Sequence, residues 1–374
     1  MTIRTALFNP VPFEERKSPL RGILDVITLR YPRFCFGGEV GKNILPVFHF
    51  HDVTEKYLRP YIEYLAVNGY KTVCSDELES FVKKGIKSSA KSVVLCFDDA
   101  WRSLWTVVFP LLAEFEMKAI AYVIPARVEE AVNKRPFGKA GENGSLFATW
   151  PEITEMKQSG IIDIQAHTYS HALIYCDPHV VDFVHPDLQL GPTEWPALQF
   201  GKTPLFVSPD MLGCPLYPCR SRMSDAFLFK DDEAVRNACI EHVNQNGGRD
   251  FFSLPDWRKR LTKIAKGAKH NWELVIERER AIYQELVMAK ESLEARLGRK
   301  TITQVCFPWA VCGKTGEAMA KKAGYNTAVA DILFGKRAAV RGGNPYRIMR
   351  LKHNYIFCLP GEGRKNISTI FKER

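Results

Sequence analysis

The sequence predicts an α/β fold, a distorted and incomplete (β/α) barrel of about seven parallel strands with a long insertion after the fourth. Three observations carry this. Short apolar runs recur: LPVFHF (45–50), SVVLCF (92–97), AIAYVI (119–124), IIDIQA (161–166), TQVCFP (303–308), NTAVAD (326–331) and YRIMRL (346–351). Most are continuous and not alternating, as expected of parallel strands covered on both faces. Helical patterns lie between them. Polar residues gather at or just after the C-terminal ends of the runs, the rim where barrels place their sites. An open doubly wound sheet would gather them at one switch point instead, and no glycine-rich phosphate loop follows any run.

In order along the chain, the first run leads into TEKYLRPYIEYLAVNGY, with Leu58, Ile62, Leu65 and Ala66 on one helical face and a stop at Gly69. After the second run, Leu104, Trp105, Val108, Leu111, Leu112 and Phe115 recur at helical spacing, and Pro110 is expected to kink that helix. WPEITEMKQSG carries Pro151 in its first turn and ends at Gly160. GEAMAKKAGY ends at Gly324 before the sixth run.

Between the fourth and fifth runs lie about 130 residues, far beyond an ordinary connection. This stretch ends in WELVIERERAIYQELVMAKESLEARLG. Leu274, Ile282, Leu286, Met288, Leu293 and Leu297 form its apolar stripe, so it reads as the crossover helix before the fifth strand. The organisation expected is an N-terminal extension over 1–43, a barrel over 44–355 interrupted by an insertion at 175–265, and a tail over 356–374. The insertion reads as a lid or as an oligomer contact, which would make the chain a homo-oligomer.

The hydrophobic share of 46% is ample for a large core. Lys and Arg number 52 against 42 Asp and Glu, a net charge of +10. That balance suits an anionic partner, but the charges are scattered and no recognition-helix or zinc-finger spacing occurs, so nucleic acid is not expected. No run reaches the ~18 apolar residues of a spanning helix, and the N-terminal MTIRTALFNPVPFEERK lacks a secretory apolar core. Ten dispersed cysteines, several in core strands, suit reduced thiols and a cytoplasmic location. Cys214 and Cys219 flank PLYP and read as structural.

Two stretches carry chemistry. The run 92–97 ends in Asp98 and Asp99, and adjacent carboxylates raise each other's pKa unless a cation is near. QAHTYSHALI places His167 and His171 four residues apart after the fourth run, close enough to share one metal. If both strands share one sheet, one carboxylate and two imidazoles make a three-ligand site with positions left for water, and the other carboxylate stands beside it as a base. The residues alone do not say which Asp does which. His49 and His51 end the first run, and Trp101 and Trp309 could stack on the apolar face of a sugar.

FDDA followed by HTYSH resembles the polysaccharide deacetylases, carbohydrate esterases that share the chitooligosaccharide deacetylase homology domain. Their first motif, T-F-D-D-G, is met by Cys96 to Ala100 with Cys for Thr and Ala for Gly; their second, H-[S/T]-x-x-H, is met by His167, Thr168 and His171. The resemblance spans roughly 44–175 and 280–355. It implies that Asp98 is the catalytic base, that Asp99, His167 and His171 hold a divalent metal, and that Thr168 steadies their loop. The family's R-x-P-[Y/F] motif reads Cys306-Phe307-Pro308-Trp309, so Pro308 and Trp309 would supply groove and oxyanion contacts. The Arg that partners the base is missing there, and Arg347 or Arg350 are the substitutes to consider. Leu351-Lys352-His353 matches the family's L-x-H, whose His is the general acid, with Asp331 as a stand-in for the Asp that orients it. His51 and Trp101 are candidate substrate contacts.

The function expected is metal-dependent removal of an N-acetyl or other N-acyl group from a carbohydrate or a sugar-containing precursor, lipid-linked or anionic. Zinc is the first candidate, with iron, cobalt or nickel suited to the same donors. Two alternatives stay open: a metal amidase acting on a non-sugar N-acyl or cyclic amide, and a catalytically silent module that binds through the insertion.

Overall fold

A computed structural model of the chain describes residues 27, 30–87, 89, 91–137, 146–269, 271–332 and 335–372. The leader reading of the first seventeen residues falls outside them. Seven strands line up in parallel: β1 (Val47–Phe50), β2 (Ser92–Asp99), β3 (Ala119–Val123), β4 (Ile162–Ala166), β5 (Gln304–Cys306), β6 (Thr327–Val329) and β7 (Leu351–Lys352). Their spatial order is β6-β5-β4-β3-β2-β1-β7. A further short strand, Lys71–Thr72, pairs with the start of β2. The sheet curls into a distorted (β/α) barrel whose ends are joined by one irregular segment. β7 pairs with β1, and three residues before it Ile348 donates to the Ala328 carbonyl and accepts the Ala330 N–H.

The strand register sets what points inward. Val47 of β1, Val94 and Cys96 of β2, Ile120 and Tyr122 of β3, Cys306 of β5, Val329 of β6 and Ile348 form one buried cluster. Side chains alternate along a strand, so the inward series Val94, Cys96 continues to Asp98, and Ile348 continues to Arg350. A carboxylate and a guanidinium therefore reach the barrel's rim from the two strands that flank β1.

The helices beside these strands are α1 (Glu55–Val67), α2 (Ser75–Lys84), α3 (Phe109–Glu114) and α4 (Trp150–Gln158), of which the periodicity placed all but α2. Pro110 has no N–H to give the Thr106 carbonyl, and the turn before α3, Leu104–Val108, widens to π geometry. In α4, Thr149 and Glu152 make a reciprocal capping box.

The chain divides into two compact units, and among the described residues the sheet unit holds 30–170, Leu286–Ala310 and Ala320–Lys372. The second unit holds His171–Glu285 and Val311–Met319. It is built from antiparallel ribbons two or three residues wide, such as Leu173–Tyr175 with Cys219–Ser221 and Phe229–Lys230 with Asn271–Trp272. Its helices α5 (Glu233–Gln245) and α6 (Trp257–Ala265) share a core with Phe183 and Phe251. The long helix α7 (Val275–Leu297) buries Ile282, Leu286, Ala289 and Leu293. Leu274, read above as part of that stripe, stands outside the helix and is exposed, because Glu277 caps the Leu274 N–H and starts the helix after it. The remaining helix of this region, α8 (Lys314–Lys322), precedes β6. All ten cysteines are free, and burial pushes the Cys214 and Cys219 thiols well above their ordinary range, which fits structural roles for both.

Candidate functional site

Asp98 ends the inward series of β2 and is buried at 2% exposure. Arg350 grips it with two charge-assisted bonds, Nη1 to Oδ1 and Nη2 to Oδ2, both 2.7 Å. Burial alone would raise the Asp98 pKa, but the Arg350 charge and its bonds outweigh that and hold the carboxyl well below the usual range. The base's partner is thus Arg350. Arg347 falls on the opposite parity from Ile348 and Arg350, and its backbone N–H caps a turn on the Asn344 carbonyl.

Asp99 would face away from Asp98 if β2 ran on straight. It does not: Asp99 takes φ 73° and Ala100 φ 60°, both left-handed. The turn swings the second carboxylate back towards β4. Asp99 Oδ1 lies 3.3 Å from His167 Nε2, and the Trp101 indole N–H donates to Asp99 Oδ2 at 3.0 Å. Left-handed backbone costs a residue with a Cβ about 1 kcal/mol or more, which explains why a glycine suits the position Ala100 holds. Of nine such non-glycine residues among those described, six lie on three rim loops: Asp99, Ala100, Thr168, His171, Trp309 and Ala310. Strain gathered at the rim and little elsewhere is the distribution expected of a functional site.

His167 follows β4 and is buried. Its Nδ1 meets the Cys306 carbonyl at 2.6 Å, so Nδ1 carries the proton and Nε2 turns to Asp99. Burial works against a charged His167, yet Cys306 and Asp99 beside it hold the imidazole above its ordinary range. Thr168 and Ser170 are buried in the same loop, and His171 closes it, also buried. The donor atoms of Asp99, His167 and His171 lie within 4.8 Å of one another. Two imidazoles and one carboxylate, one imidazole pre-oriented by a carbonyl, fit a divalent transition metal.

A second group of histidines stands on the other side of Asp98. His51 is 54% exposed and its Nε2 is 3.8 Å from Asp98 Oδ2. His49, two residues earlier, is kept neutral by burial, with the Arg350 charge and His51 adding to it. His353 follows β7. Its Nδ1 meets the His49 carbonyl at 3.2 Å, its Nε2 bonds the Tyr57 hydroxyl, and its ring stacks on Phe50 at 4.9 Å. With Nδ1–H given to a carbonyl and Nε2 on the Tyr57 hydroxyl, both ring nitrogens are engaged. The Asp331 carboxylate, the stand-in considered for orienting His353, is bound by Arg30 at 2.9 Å, with Arg337 at 3.8 Å.

Trp101 is half-buried and stacks on Phe147 at 4.9 Å as well as bonding Asp99, so it is a support for the second carboxylate. Pro308 is buried and Trp309 half-buried on the loop just beyond Cys306. Sequence reasoning missed the Cys306 carbonyl, Tyr57 and the Trp101 bond. The signal for Arg350 was present: an arginine two residues beyond an inward isoleucine.

Residues 85–182 match the family model described as polysaccharide deacetylase, a span that includes Asp98, Asp99, His167 and His171. A poly-beta-1,6-N-acetyl-D-glucosamine N-deacetylase of Escherichia coli strain K12 is 30% identical over 122 residues, 32% of this chain and 18% of the relative. The chain thus spans 18% of the length of that curated relative. A de-N-acetylase from Aggregatibacter actinomycetemcomitans superposes over 76% of this chain and 87% of its own, at 17% identity and a TM-score of 0.48. The BpsB deacetylase domain from Bordetella bronchiseptica does so over 82% and 96%, at 16% identity and 0.49.

Proposed function

We propose that this chain, which matches the polysaccharide deacetylase model over residues 85–182, hydrolyses the N-acetyl group of an acetylated amino sugar with a divalent metal held by Asp99, His167 and His171. The observation that carries the reading is the division of the adjacent carboxylates. Asp98 is clamped to Arg350, while Asp99 is turned by a left-handed backbone onto His167. One acid is kept for proton transfer and the other for coordination. Held by these three residues, a divalent metal would supply Lewis-acid chemistry and a water of lowered pKa.

The chain's own residues do the rest. Arg350 fixes the plane of the Asp98 carboxylate and keeps it ionised, so it is ready to take a proton from the attacking water. The Cys306 carbonyl fixes the His167 tautomer. The leaving amine needs a proton. The family resemblance assigns that to His353, whose nitrogens are both engaged. The exposure of His51, whose Nε2 stands 3.8 Å from Asp98 Oδ2, supports it instead as the donor to the leaving amine. Trp309, on the left-handed turn beyond Cys306, is read as a wall for the acyl group and a sugar ring.

The relative acting on poly-beta-1,6-N-acetyl-D-glucosamine makes β-1,6-linked N-acetylglucosamine oligomers the first substrates to test. Acetate release should be lost with a chelator and restored by one divalent metal, with zinc tried first and iron, cobalt and nickel after it. A metal-loaded protein that frees no acetate from any acetylated amino-sugar oligomer would refute the proposal.

A further inference from the structure

In the second unit, the usual order of polar and apolar residues is reversed around one buried ion pair. Glu273 is buried and receives both terminal nitrogens of Arg222, at 2.8 and 2.7 Å, and the Leu228 N–H at 2.7 Å. Its chain neighbours are the apolar residues, and they face out. Trp272 is 41% exposed, Leu274 64%, Val275 54% and Ile276 60%, with Phe227 at 38% near the start of the partner strand. The ion pair and the Glu277 cap at Leu274 anchor both sides of this tip, so its exposure is imposed by the fold. Single exposed apolar residues need no account, but a contiguous run of this size does.

Just before the tip lies a run of cations: Arg258, Lys259, Arg260, Lys263, Lys266 and Lys269. No Asp or Glu occurs from Trp257 to Trp272. Helix α6 buries Leu261 and Ala265. At about 100° per residue, Lys259, Lys263 and Lys266 fall together on the opposite face. Arg258 pairs with Asp182 and Arg260 with Asp256. The three lysines are exposed, and none has a carboxylate within 4.0 Å among the described residues.

We propose that this part of the second unit, with Lys259, Lys263, Lys266 and the tip from Trp272 to Ile276, docks on an anionic lipid bilayer. A soluble polyanion would use the lysines and leave the apolar tip in water. A second copy of the chain would cover the tip but offer the lysines no added counter-charge from their own, acid-free stretch. An anionic bilayer uses both features. The lysines meet headgroup phosphates, Trp272 sits at the interface, and Leu274, Val275 and Ile276 enter the acyl boundary.

The test is flotation of the full chain with vesicles of phosphatidylcholine alone and of phosphatidylcholine mixed with phosphatidylglycerol, with gel filtration in parallel. Binding should appear with the anionic mixture and fade as salt is raised. Each lysine near such a surface is worth about fivefold in partitioning, so the triple change Lys259→Gln, Lys263→Gln and Lys266→Gln should lower it about a hundredfold. The triple change Leu274→Ser, Val275→Ser and Ile276→Ser should abolish it while the protein stays folded by circular dichroism. Equal flotation on both vesicle types, or anionic binding untouched by either variant, would overturn the proposal. So would a self-associated chain that binds no vesicle and that the serine variant renders monomeric, since the tip would then be a contact between copies. None of these changes touches Asp98, Asp99, His167 or His171, so acetate release from a soluble oligomer reads the catalytic proposal separately.

Discussion

Asp98 and Glu273 are both buried carboxylates gripped by an arginine through two bonds, 2.7 and 2.7 Å to Arg350 in the sheet unit, 2.8 and 2.7 Å to Arg222 in the second unit. Their surroundings differ. Glu273 also takes the Leu228 N–H and is walled in by a ribbon and the start of α7. Asp98 stands at the open end of a barrel strand with His51 at 3.8 Å and Asp99 adjoining it. The comparison teaches that a buried ion pair is not by itself a sign of function. What separates the two is where the carboxylate's remaining acceptor capacity points: into backbone for Glu273, towards a cluster of imidazoles for Asp98.

That distinction can be broken by substitution. Asp98→Asn should lower kcat about a thousandfold, the range of a lost general base, as read by acetate release. Glu273→Gln strips one charge from an equally buried pair and should lower unfolding free energy by about 3 kcal/mol in a denaturant titration, with kcat of the folded protein unchanged. A large kcat loss in Glu273→Gln would erase the contrast. His51→Gln should cost about a hundredfold in kcat and His353→Gln less than about tenfold; the reverse order would return the acid role to His353. Arg350→Lys keeps the charge but loses the fork, and should cost about tenfold in kcat with KM little changed.

The two units also differ in how far the sequence revealed them. In the sheet unit the apolar runs were long enough to be seen, and those of 92–97 and 161–166 lead directly into Asp98 and His167. Parity supplied more than was used: Val94 and Cys96 point inward and so does Asp98, Ile348 points inward and so does Arg350, while Arg347 falls on the other parity. The turn at Asp99 was hidden because a left-handed residue other than glycine leaves no mark in composition. Backbone partners such as the Cys306 carbonyl leave none either. The second unit was opaque for a different reason. Strands of two residues carry no period, and a glutamate between tryptophan and leucine reads as a surface residue when Glu273 is the one inside.

The central claim is that the adjacent carboxylates have separate tasks, and metal content tests it most directly. After loading with zinc and removal of the excess, the parent chain and Asp98→Asn should each retain about one ion per chain, while Asp99→Ala retains none. Retention by Asp99→Ala, or loss from Asp98→Asn while the protein stays folded, would contradict the assignment.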